Sequence, residues 1–105
     1  MALPKAEAAY NRHREAMTQA LENPRGVAVK FSNFRDALNF RKMCHTIRSK
    51  DRKRIEDSLS PNQRYLASTP YDGLFFEIKP SPAFTNPDAH DLQIRHFVMP
   101  EIVPL

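Results

Sequence analysis

The stretch VAVKFSNFRDALNFRKMCHTI, residues 27–47, changes its apolar period halfway along. Val27, Val29 and Phe31 alternate with Ala28 and Lys30, the two-residue repeat of a half-buried strand. After Ser32-Asn33 the apolar positions fall at Phe34, Ala37, Phe40, Cys44 and Ile47, three or four apart, with Leu38 and Met43 widening the seam. That spacing is one face of a helix. Asn33 followed by Asp36 forms a cap-like pair, and Asp36 suits the positive end of the helix macrodipole. A strand that runs straight into a helix, each with one apolar stripe, needs further elements to bury both stripes.

Those elements lie on either side. Residues 5–22 read as a helix: Pro4 suits the first turn, and Ala6, Tyr10, His13, Met17 and Leu21 share one face. Arg12, Arg14, Glu15 and Glu22 lie largely away from it, and Asn23-Pro24-Arg25-Gly26 is a stop. The second helix is expected over 33–54, with helical character reaching Arg54 or Ser58. Ser60-Pro61-Asn62-Gln63 reads as a short helix start that docks Tyr65 and Leu66 on the core. Strands follow at 74–79, where Leu74, Phe76 and Ile78 alternate inward, and at 92–99, where Leu92, Ile94, His96 and Val98 share a face. Residues 80–91, with Pro80, Pro82 and Pro87, form a stiff loop, and 100–105 a C-terminal tail. The expected fold is therefore a small single α+β domain over 1–105. Three short strands (27–31, 74–79, 92–99) carry two main helices (5–22, 33–54) on one face. The link from Phe31 to Leu74 is long enough for a crossover, so the first strand has the option of a parallel neighbour; the strand order stays open.

The bulk composition agrees with such a domain. The 105 residues are 41% hydrophobic and 27% charged, with nine prolines against two glycines. Cys44 stands alone, which excludes an internal disulfide; with no apolar segment after Met1, the expected compartment is reducing and cytoplasmic. No apolar run approaches the ~18 residues of a membrane span. The net charge of +4 is unevenly spread: residues 1–54 hold 13 Lys/Arg and 5 Asp/Glu, residues 55–105 hold 3 and 7. The first half thus favours an anionic partner, unless the two halves neutralise each other across the fold.

The positive charge peaks between Arg41 and Arg54, where Arg41, Lys42, Arg48, Lys50, Arg52, Lys53 and Arg54 accompany a single acid, Asp51. Arg41, His45, Arg48 and Arg52 recur at helical spacing beside the Phe40–Cys44–Ile47 seam. With the seam packed inward, this stripe is expected to face water and to lack the acids that usually support a solvated helix. Arginines on a rigid rod bind phosphates bidentately. The leading expectation is a small accessory or regulatory protein that binds DNA or RNA non-specifically through these residues. The size and charge suit a compact regulator of phage or mobile-element type. The alternatives are an inhibitor or adaptor acting on another protein through a charged face, a homodimer using the apolar tail, and a merely solvated basic face.

Catalytic chemistry is poorly supplied, and no catalytic residue, cofactor or metal is expected. Asp72 with Glu77-Ile78-Lys79 loosely resembles the Asp…Glu-x-Lys arrangement of metal-dependent nucleases, over about ten residues. The alternative is an outward strand face of alternating charge. Cys44 and His45 are helical neighbours that diverge by ~100° and do not face each other, so Cys44 reads as a buried, inert thiol. His13 reads as a half-buried side chain on an apolar face. Asp88-Ala89-His90-Asp91 has no second ligand pair at zinc-like spacing. Phe75, if it points outward from its strand, is able to stack a base.

Overall fold

The computed structural model describes residues 10–81, 86–96 and 103–105. Helix α1 runs Asn11–Glu22, strand β1 Val27–Phe31, helix α2 Phe34–Ser58, a 3₁₀ turn Pro61–Leu66, strand β2 Leu74–Pro80 and strand β3 His90–His96. This is the expected α+β order, with two main helices on one face of a three-stranded sheet. The first turn expected for α1, over 5–9, and residues 97–99 of the third strand lie outside the described residues, as do 82–85 of the Pro-rich loop and 100–102 of the tail.

The last strand takes the centre of the sheet, in the order β1-β3-β2. Both pairings are antiparallel, so the parallel neighbour allowed for β1 is not formed. β1 and β2 do point the same way, joined by the α2 crossover, but β3 has inserted between them. The result is a split βαβ unit. The register is fixed by burial: Val27 and Phe76 flank Ile94, and Val29 and Ile78 flank Leu92. A slip of one residue would turn every one of these side chains to the other face. Leu92 and Ile94 are fully buried beneath Met17 and Ala20 of α1 and Cys44 and Ile47 of α2.

Local chemistry explains the helix bounds. Asn33 Oδ1 accepts the backbone N–H of Asp36 at 2.8 Å, so the cap read from sequence starts α2. The helix then persists to Ser58, the further of the two ends expected, and the Ser58 hydroxyl folds back onto the Ile55 carbonyl at 2.6 Å. Two apolar expectations fail. Phe34 is 49% exposed and lies edge-on to His90, and Tyr65 and Leu66 are 82% and 57% exposed instead of docked. The 3₁₀ turn lies against the end of α2, but all six of its residues stay exposed.

Gly26 closes the α1–β1 turn at φ +78°. A Cβ there would sit 2.1 Å from the Ile94 carbonyl oxygen, so the turn can lie against β3 only because the position is bare. Gly26→Ala is expected to lower stability by about 2 kcal/mol or more, through a disfavoured φ and a backbone clash. A urea midpoint equal to that of the wild type would contradict this.

Candidate nucleic-acid interface

Helix α2 is 25 residues long, about 37 Å of rigid rod. Ala37, Cys44 and Ile47 face the sheet fully buried. The residues read as a basic patch divide around that seam into two sets.

The first set is tied to the fold, contrary to the free outward stripe expected: Arg48 and His45 are half-buried, and Arg52 is exposed but paired. Arg48 is half-buried: its Nη1 donates to the carbonyls of Tyr71 and Leu74 at 3.4 and 3.3 Å, and its guanidinium carbon lies 5.9 Å from the centre of the Phe76 ring. Its Nη2 meets His45 Nδ1 at 2.9 Å, so the imidazole is the neutral acceptor. Burial, then Arg48 and Arg41, lower the His45 pKa below its ordinary 6.5. Arg52 Nη2 bonds Asp72 Oδ1 at 2.6 Å, and the other Asp72 oxygen accepts the Thr69 backbone N–H at 3.0 Å. Burial alone would push the Asp72 carboxyl up; Thr69 and Arg52 together outweigh it and hold it below the ordinary range. Arg48, His45 and Arg52 therefore splint α2 to the turn that leads into β2. The compensating acid comes from 20 residues further along the chain, so no helix-spacing rule reveals it.

Two further charges join the helices. Arg14, expected to point away, donates two hydrogen bonds to Asp51 at 2.8 and 2.9 Å. The Arg14 bonds are the main cause that holds Asp51 below its ordinary pKa, with Arg54 assisting. Lys50 lies over the Tyr10 ring, 5.1 Å from its centre, and donates to its hydroxyl at 3.1 Å.

The second set faces water. Lys42, Lys53 and Arg54 are exposed and make no ion pair among the described residues, while Arg41 is half-buried beside His45. Lys42, Thr46, Ser49 and Lys53 follow one another at +4, +3 and +4 along the ridge opposite the core. Arg35, two turns before Lys42, extends the same ridge and is also exposed and unpaired. The seven-residue interval from Arg35 to Lys42 was the signal that reading the charge cluster alone passed over.

The other candidate chemistry is placed as follows. Asp72 is held in the Thr69 turn and by Arg52, while Glu77 and Lys79 lie on the outer sheet face with Nζ 3.7 Å from Oε1. No group of three His, Cys, Asp or Glu side chains converges to hold a metal among the described residues. Cys44 is fully buried and its thiol is pushed up to about 12, so it is no nucleophile at neutral pH. His13 stacks on Phe40 at 4.2 Å between centroids. No described helix is long and apolar enough to cross a membrane. No family model matches the chain, and searches of curated proteins and of solved structures return no match.

The splint generates two predictions. Arg48→Met removes the donor shared by the Tyr71 and Leu74 carbonyls, the first of which keeps the Leu74 N–H, and is expected to cost about 1–2 kcal/mol in chemical denaturation. Stability should also fall in two steps as pH drops. His45 and the two aspartates all have folded pKa values below their unfolded ones, so each contributes fully above its unfolded value and loses that contribution below it. The first decline begins near 6.5 and disappears in His45→Gln; the second begins near 3.8, as Asp51 and Asp72 take up protons. A urea midpoint that stays flat from neutral pH to pH ~5 would rule out the first step.

Proposed function

We propose that the protein is a small accessory or regulatory factor that binds nucleic acid without sequence preference. The phosphates are taken by the solvent ridge of α2, formed by Arg35, Lys42 and Lys53, with Arg54 and Lys50 assisting from its flank. The observation that carries this reading is that Arg35, Lys42, Lys53 and Arg54 stand exposed on one rod with no ion pair among the described residues, while their neighbours Arg14, Arg48 and Arg52 are committed within the fold. Lys42 and Lys53 lie about 16 Å apart along the axis. A duplex backbone presents a charge for every ~1.7 Å of its own axis, so a rod laid along it meets phosphates without needing a particular register. The ridge offers no bidentate amide pair aimed at a base edge, which suits phosphate contact over base readout.

A second reading, an adaptor for an acidic protein surface, is favoured by Tyr65 and Leu66. Both are exposed on the turn that follows α2, one helical turn beyond Arg52–Arg54 and past Glu56 and Asp57. A large apolar pair near cations fits a partner that is acidic and partly apolar.

Mobility shift on mixed-sequence duplex DNA and RNA tests the leading reading. Neutralising three or four phosphates gives a slope of log K against log salt near −3 to −4. The double reversal Lys53→Glu with Arg54→Glu should abolish the shift at low salt, whereas Arg48→Met should leave it unchanged in the folded protein. Absence of a shift by the wild type at low salt removes the proposal and leaves the acidic-protein reading.

A further inference from the structure

The two helices cover one face of the sheet, and the side chains of its other face form a grid whose rows the register fixes. Lys30, Asp91 and Lys79 make one row, and Ala28, Gln93 and Glu77 the next; Arg95 and Phe75, directly opposite each other, make the third. In the first of these rows Asp91 is buried between two lysines without an ion pair to either among the described residues, and Lys79 lies 3.7 Å from Glu77 of the next row instead. The third row is different. Phe75, on the edge strand β2, is 42% exposed in a chain that buries most of its strand aromatics at least partly. Arg95 has no carboxylate partner among the described residues; its Nη2 is held by the Gln93 side chain.

Beside this row lies an open concavity of about 240 Å³, lined by Arg25, Gly26, Val27, Ala28, Gln93 and Arg95. Its shape follows from the bare position at Gly26, which lets the Arg25–Gly26 turn approach the β3 backbone at Ile94 and Arg95. Two guanidiniums from separate elements therefore border one hollow that holds no acid, and Arg25 makes no ion pair among the described residues. Opposed residues of an antiparallel pair keep their Cβ atoms about 4.5–5.5 Å apart, so the Phe75 ring and Arg95 are neighbours on the same surface.

We infer that this sheet face binds single-stranded nucleic acid, with a phosphate seated between Arg25 and Arg95 and an unstacked base laid on Phe75. Paired guanidiniums match a phosphate's oxygens bidentately. An exposed ring on a sheet accepts any base by its π-face, and only where that base is free of a duplex. A nucleotide carries both groups in one repeat, whereas an acidic peptide offers the anion without the flat ring partner. The inference rests on the reading of the protein as a nucleic-acid binder, but it uses the layer opposite α2 and adds a preference for unpaired strands.

The test is fluorescence anisotropy with a labelled oligo-uridine of about ten nucleotides and, in parallel, a hairpin duplex. Phe75→Leu, which keeps apolar bulk without the ring, and Arg95→Gln should each weaken oligo-uridine binding about tenfold and leave duplex binding unchanged. Phe75→Tyr should retain it. Phe75 is exposed and Arg95 half-buried on the face opposite the helices, and unchanged thermal midpoints establish that the variants fold. Equal oligo-uridine affinity in wild type, Phe75→Leu and Arg95→Gln overturns the inference, as does a wild type that binds poly-glutamate but no oligo-uridine. The duplex arm, with Lys53→Glu and Arg54→Glu, judges the α2 reading separately.

Discussion

Burial of Leu92 and Ile94 is the constraint on which the other elements depend. Both side chains are fully enclosed, and what encloses them comes from every other main element. β1 and β2 flank them in register, and α1 and α2 cover them with Met17, Ala20, Cys44 and Ile47. Each such side chain contributes on the order of 2 kcal/mol by leaving water. A core this small has little to spare, which gives the polar ties around it their weight. Arg14–Asp51 joins the two helices, and Arg48 and Arg52 fasten α2 to the turn before β2. These ties are short-range and directional, so they set the angles that apolar packing leaves loose.

Much of this was legible in the sequence because it is written locally. The alternation of Val27, Val29 and Phe31 gave β1 its bounds, and Asn33 with Asp36 gave α2 its start. The order of the strands was not legible. Nothing within His90–His96 says that it will separate β1 from β2; that outcome follows from which strand can bury both of its flanks. Leu92 and Ile94 do this while the edge strands keep their side chains half-exposed. The exposure of Phe34, Tyr65 and Leu66 escaped for a related reason. Periodicity says which side chains share a face, but not whether another element arrives to cover it.

The candidate site shows the same division between local and distant information. The cluster from Arg41 to Arg54 is obvious as composition, but composition does not assign each cation its duty. On the helix, Arg48 lies close enough to the apolar seam to reach over its edge, and the carbonyls of Tyr71 and Leu74 await it there. Arg52 meets an aspartate delivered by a turn, and Asp51 meets an arginine from α1. What remains for solvent is a narrower ridge, less dense in charge than the sequence suggests and extended by Arg35. A basic helix in a small domain thus divides its charge between holding the fold and whatever lies outside it.

The placement of β3 also governs how the chain can acquire its structure. β2 finds its partner within a short loop, but β1 must wait for residues 59 to 67 positions later before any of its ladder bonds can form. During synthesis, α1, β1 and α2 emerge before the strand that completes their shared interior. Met17, Ile47 and the valines of β1 are then left in contact with water or with each other. Closing so long a loop costs entropy before it returns any burial, so the slow event in folding should be the insertion of the final hairpin between elements already made.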